Sequence, residues 1–203
     1  MGDYHYKDSL SANFKMSDNL KILLRGFVDF PNKELVKICN CFKPKTFRKN
    51  SILLREGDVC KELYFVQKGG IRTYFIDRNG YEKTRYIMLD NHMGTAMASF
   101  ISQKPSVEFI EALEDTELLA INRKDFYLLC DQLENWKLFY QRILEKAYTF
   151  QNRKIETLVT LTAKQRYEQL LKETPLYVQR LSNKVLASYL DMREETLSRL
   201  KSG

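Results

Sequence analysis

The sequence predicts an α+β fold: an antiparallel β-roll over most of the first 135 residues, then a long helix, then a C-terminal all-α unit. Three observations carry this. Between residues 51 and 121 short apolar runs alternate with turn signals, and five of the eight glycines (57, 69, 70, 80, 94) fall there. Residues 136–158 hold apolar side chains on more than one helical stripe. The last 23 residues, LSNKVLASYLDMREETLSRLKSG, carry two short helical patterns around a tight turn.

Residues 17–41 read as helical, with Leu20, Ile22, Leu23 and Leu24 in one apolar stretch and Leu35, Val36 and Ile38 in a second after Pro31. From Phe42 the pattern becomes that of strands: SILLREGD, ELYFVQKGGIRTYFIDRNGYEKTRYIML, NHMG, VEFIEAL and ELLAI. Asn79-Gly80 between TYFI and Tyr86-Ile87-Met88 predicts a hairpin, because Asn-Gly fits the left-handed positions of a tight turn. Short strands spaced by turns pack as a sandwich or barrel. Asn122 is suited to cap a helical region running from Arg123 to about Leu158. Its two apolar faces, with Trp136, Tyr140, Ile143, Ala147 and Phe150, require two partners: the β-unit, and either the same helix of a second subunit or another part of the chain. We expect the dimer. Thr162 to Gln165 fits a capping box that starts the next helix, and Pro175 ends it.

The final segment places Ser182 as an N-cap, with Leu181 and Leu186 in position for a hydrophobic staple. Val185, Leu186, Tyr189 and Leu190 face inward, Asp191-Met192 turns, and Leu197 and Leu200 anchor a second helix from Arg193 to Ser202. Such a pair is a helix-turn-helix, whose second helix fits the major groove of DNA. The same pattern also suits an ordinary αα-hairpin.

Net charge is +7 over 203 residues, distributed as +6 over residues 1–55, −5 over 56–135, +5 over 136–180 and +1 over 181–203. A mildly acidic centre flanked by basic segments suits a nucleic-acid binder with a sensing domain. The polar start MGDYHYKDSL has no apolar signal region, and there is no run of 18 apolar residues. We therefore expect a cytoplasmic protein without membrane contact. Cys39, Cys41, Cys60 and Cys130 show no C-x-x-C spacing and are expected as reduced, packed thiols. His5 and His92 are the only histidines, which rules out a multi-histidine metal site and the metal centre of a cupin-like enzyme. We expect no catalytic residues, metal or cofactor.

The order β-roll, long helix, short helix, helix-turn-helix, together with LLREGDVCKELYFVQKGGIRTYF, GYEKTR, HMGTAMASFISQKPSVEFIEALEDTELLAI, LTAKQRYEQLL and LASYLDMREETLSRL, resembles the Crp/Fnr family of bacterial transcription regulators. The resemblance covers roughly residues 20–203 and is to short members of the family, whose recognition helix has no β-hairpin wing after it. It implies a cyclic-nucleotide-binding-like β-roll of the double-stranded β-helix (jelly-roll) type within residues 1–135, a dimerisation helix over 136–160 and a helix-turn-helix domain over 161–203. It also implies a homodimer on double-stranded DNA, with RNA polymerase as a further partner and a small-molecule effector in the β-roll.

By the same resemblance the effector pocket is formed by Gly94, Thr95, Ala96, Ser106 and Val107, with Gln151 and Asn152 of the long helix nearby. Family members that bind cyclic AMP carry Gly-Glu-Leu and Arg-Ser at the two key strings. Here they are Gly94-Thr95-Ala96 and Pro105-Ser106, so both charged groups are missing and cyclic AMP is not the expected effector. The cysteine spacing does not match the iron-sulfur members, and His92 is the single candidate in the β-region for a haem ligand. The recognition string Glu-Thr-x-x-Arg matches Glu195-Thr196-Leu197-Ser198-Arg199. The DNA contacts expected are Lys184, Arg193, Glu195, Thr196, Ser198, Arg199 and Lys201. Glu194 and the near-neutral last segment keep a second reading open: a ligand-sensing or protein-interaction module with a degenerate DNA-binding tail.

Overall fold

A computed structural model of the chain describes residues 18–202. The polar N-terminal segment, His5 and Gly203 lie outside the described residues. Helix α1 (18–25) and helix α2 (Asn32–Cys41) lead into eight strands: β1 (Lys43–Phe47), β2 (Ile52–Leu54), β3 (Glu62–Lys68), β4 (Gly70–Ile76), β5 (Glu82–Leu89), β6 (Met93–Gly94), β7 (Phe109–Ala112) and β8 (Thr116–Asn122). A short helix α3 (Met97–Ser102) separates β6 from β7. The strands form two four-stranded sheets, β1-β8-β3-β6 and β2-β7-β4-β5, with every pairing antiparallel. This is the predicted β-roll.

The Asn79-Gly80 hairpin joins β4 to β5. Gly80 has φ 81°, a left-handed backbone that glycine adopts without a Cβ penalty. Asp77 organises the loop by accepting from the Asn79 and Tyr81 amides at 2.8 and 3.0 Å. Three elements went unpredicted: β1, α3 and a short helix that starts at Pro175. Strand β1 is KPKTF, an edge strand whose residues are exposed or half-buried, so it has no apolar alternation to read.

The helical region after β8 is two helices rather than one: α4 (Arg123–Gln132) and α5 (Glu134–Thr160). Asn122 caps α4 as expected, accepting from the Asp125 amide. Leu133 breaks the run with extended dihedrals (φ −134°, ψ 108°). The break turns the start of α5 back onto the β-roll, where Trp136 and Phe139 are fully buried in the main core beside Phe126 and Phe42. Trp136 Nε1 donates to the Phe126 carbonyl at 3.1 Å. Trp136 was expected at the subunit interface. The structure corrects this, because the side chain is enclosed by its own chain.

Helix α6 (Ala163–Glu173) begins with the predicted capping box, both halves of which form. Pro175 does end it, but also opens a further short helix, α7 (Pro175–Arg180), by standing at its first position, where a missing N–H costs nothing. Helices α8 (Asn183–Tyr189) and α9 (Glu194–Ser202) follow. Ser182 caps α8 through the Val185 amide, and Leu181 and Leu186 share one buried cluster. Asp191 takes φ 51° at the turn, a conformation Asp tolerates better than most residues.

Candidate DNA-binding face and ligand cavity

The C-terminal helices share a core of Tyr167, Leu170, Leu181, Val185, Leu186, Leu190 and Leu197, and Ile87 and Leu89 of β5 belong to it too. The helical unit is therefore docked on the β-roll. Ser188 Oγ accepts from the Thr84 amide and donates to the Glu82 carbonyl, both at 2.8 Å, and Tyr177 donates to the Ile87 carbonyl. Arg180 reaches Asp90 and Glu114, and Lys83 pairs with Asp191 at 2.5 Å.

Leu197 fixes the rotation of α9 by its burial. That leaves Glu194, Glu195, Ser198, Arg199 and Lys201 exposed, with Thr196 half-buried at the edge. Arg193 precedes the helix, is exposed, and its carbonyl accepts the Thr196 and Leu197 amides. Glu194 and Glu195 lie at the positive end of the helix dipole and Arg199 and Lys201 at the negative end, each favourably placed. Arg199 Nε lies 3.3 Å from the Glu195 carbonyl. Two of the expected phosphate contacts have partners inside the chain: Lys184 pairs with Glu82 at 2.5 Å, and Lys201 donates to Asn183 Oδ1 at 2.6 Å.

A cavity of about 290 Å³ lies between the β-roll, α1 and α5. Of the expected pocket residues, Gly94, Thr95 and Gln151 line it. A Cβ at Gly94 would press on the Met88 sulfur, so a larger residue there would make the Met88 side chain shift. The Thr95 hydroxyl is already committed, donating to the Glu62 carbonyl at 2.6 Å and lying 2.9 Å from Cys60 Sγ. Ala96, Ser106, Val107 and Asn152 are corrected, for none of them lines the cavity. Ala96 is buried in the main core. The Ser106 hydroxyl folds back onto the Glu108 amide and carbonyl. Val107 and Asn152 face outward.

The charged groups at the cavity are ones the sequence reading missed: Arg85, Glu108 and Lys146, with His92 beside them. Arg85 Nη1 donates to Glu108 Oε1 at 3.1 Å. The Glu108 side chain is only 4% exposed, and its burial pushes the carboxyl above the ordinary carboxylate range despite Arg85 and the Thr73 hydroxyl. No local pattern marks these residues, because their convergence depends on strand register.

Of the expected dimer residues, Ile143 and Phe150 line the cavity and Phe150 packs edge-on against Tyr86. Tyr140 packs on Phe126, while Ala147 is exposed at the cavity rim. The exposed apolar side chains of α5 are instead Leu138, Tyr148 (70%), Ile155 (59%) and Val159 (79%). Among the described residues, no group of three or more His, Cys, Asp or Glu is placed to hold a metal, and no helix is long and apolar enough to cross a membrane.

Fold and site together define a cyclic-nucleotide-binding-type β-roll joined by a long helix to a helix-turn-helix. The family model for the cyclic nucleotide-binding domain matches residues 44–133. No curated protein sequence matches the chain. Among solved structures, the chain is similar to the catabolite activator protein of Thermus thermophilus (23% identity, 87% of this chain and 84% of that one, TM-score 0.58). It is also similar to FixK2 of Bradyrhizobium japonicum (18%, 79% and 83%, TM-score 0.70). A third is the c-di-GMP-responsive global regulator CLP of Xanthomonas campestris (17%, 84% and 89%, TM-score 0.67). The chain shares the fold of these solved structures.

Proposed function

We propose that the protein is a homodimeric, sequence-specific DNA-binding transcription regulator of the Crp/Fnr type, without enzymatic activity, acting in the cytoplasm. Its effector occupies the β-roll cavity and is not cyclic AMP. The observation that carries this is the exposed α9, held by buried Leu197 so that Glu195, Ser198 and Arg199 share one open face. Glu195 is suited to accept from a cytosine amino group and Arg199 to donate to guanine. The solved regulators that share the fold support the reading. Against cyclic AMP stand Thr95 and Pro105 at the positions of the missing acid and arginine. The responsiveness of CLP to a cyclic dinucleotide does not carry over, since a cavity of about 290 Å³ is at the small end for ligand sites.

Selection of duplexes from a random pool with the full chain, followed by binding measurements over a salt series, tests this. The expected result is one enriched two-fold-symmetric site with half-sites about one helical turn apart. Arg199→Ala is expected to cost about 1–3 kcal/mol at that site. An Arg199→Ala chain with unchanged affinity and preference overturns the groove-reading role.

The second reading is an interaction module with a degenerate DNA-binding tail. It is favoured by the engagement of Lys184 with Glu82 and of Lys201 with Asn183, and by Glu194 at the start of α9. It predicts no salt-dependent binding to any duplex.

A further inference from the structure

Strand β5 carries an irregularity at the cavity. In its pairing with β4, Thr73 stands opposite Tyr86 and Tyr74 opposite Thr84, so Arg85 is an extra residue with no partner across the ladder. Such a bulge breaks the alternation of side chains between sheet faces and re-aims one of them. Here it lets the consecutive residues Arg85 and Tyr86 line the same cavity. A guanidinium has five N–H donors in a fixed fork. One bond, to Glu108, is its side-chain hydrogen bond among the described residues.

The surroundings are asymmetric. Thr73, Arg85 and Glu108 form a polar floor. Phe27, Met93, Met97 and Ile143 form apolar walls. Lys146, an exposed residue of α5, stands at the rim with its ammonium 5.2 Å from the Phe27 ring centroid. Two cations, Arg85 and Lys146, thus face the cavity against one carboxylate, Glu108.

We propose that this cavity is built for a small amphipathic monocarboxylate, its anionic head on the Arg85 fork with Lys146 at the opening and its apolar body against Phe27, Met93 and Ile143. A carboxylate matches a guanidinium with two parallel bonds. A single negative charge balances the excess cation of the lining. A dianionic phosphate on the same fork would be repelled by the adjacent Glu108 more strongly than a monoanion. The inference rests on reading the cavity as the effector site, and not on DNA binding.

Calorimetry on the full chain tests it without DNA. The probes are hexanoate, octanoate and phenylacetate, with hexanamide, octanamide and phenylacetamide as neutral isosteres, and inorganic phosphate and cyclic AMP as further arms. At least one acid is expected to bind tenfold or more tightly than its own amide and than either phosphate compound. Arg85→Gln is expected to erase that preference. Lys146→Gln, at an exposed position where folding is not at stake, is expected to weaken the acid several-fold and leave the amide unchanged. The proposal is overturned if no acid binds at millimolar concentration, if acid and amide bind alike, if phosphate or cyclic AMP binds more tightly, or if Lys146→Gln affects neither. Acid binding without duplex binding would sink the regulator reading alone. Duplex binding dependent on Arg199 without acid binding would sink this inference alone.

Discussion

Lys154 of α5 donates to the carbonyl of Arg85 at 2.9 Å, and to that of Thr84 at 2.8 Å. The residue whose side chain faces the cavity is thereby held, through its backbone, by the helix that leads to the helix-turn-helix. Thr84 in turn bonds Ser188 of α8. A bulge frees carbonyls from the ladder, and here a side chain from another element satisfies two of them.

Burial pushes the Lys154 ammonium down to about 7, with Asp191 opposing the shift and Arg85 adding to it, even though the Tyr189 ring lies 3.8 Å away. The unfolded chain therefore holds this proton up to about pH 10.4 while the folded chain releases it near 7. Stability from this group is present in full above the unfolded value and is lost as pH falls toward 7, so between these limits stability rises with pH. Urea unfolding at pH 7 and 9.5 is expected to show that rise in the parent chain and a flatter dependence in Lys154→Met. Equal slopes in the two chains would contradict the assignment.

The Glu82–Lys184 pair holds a proposed phosphate contact against the β-roll. Glu82→Gln is expected to release Lys184 while Arg72 keeps its bond to Glu111. Because Lys184 is 60% exposed, the gain is limited to the range of surface pairs, about 0–1 kcal/mol. Fluorescence anisotropy on a random-sequence duplex is expected to show affinity raised by up to about fivefold, with a steeper salt dependence. Unchanged or weaker binding would count against Lys184 as a phosphate contact.

Tyr148, Ile155 and Val159 recur at spacings of seven and four along α5, which puts them on one stripe. If this stripe pairs with its copy in a second subunit, Ile155→Glu is expected to give monomers by light scattering from a dimeric parent. Ile143→Glu would act on the cavity wall instead. A parent chain that is monomeric at micromolar concentration removes the dimer from the proposal.

Trp136→Ala is expected to cost about 3–5 kcal/mol of unfolding free energy, as a fully buried aromatic lost from a packed core. Because the ring meets its own chain, urea titration is expected to show the loss with the oligomeric state unaltered. A dissociated but equally stable variant would restore the residue to an interface.

The sequence by itself determined what rests on neighbouring residues. Asn79-Gly80 made a hairpin, Ser182 and the Thr162–Gln165 pair made helix starts, and Asp191 made a turn, because each satisfies backbone groups within a few positions of itself. Apolar periodicity likewise fixed the order of β-roll, long helix and helix-turn-helix, and Leu197 as the anchor of the exposed α9 face. Only the tertiary structure decided where amphipathic residues point when two surfaces compete for them. Trp136 and Phe150 went to the chain's own core and cavity, leaving Ile155 and Val159 outside. It also decided the charged cavity floor. Arg85 and Glu108 are 23 positions apart, and the one-residue register shift that turns Arg85 inward is a property of two paired strands, which no single stretch of sequence displays.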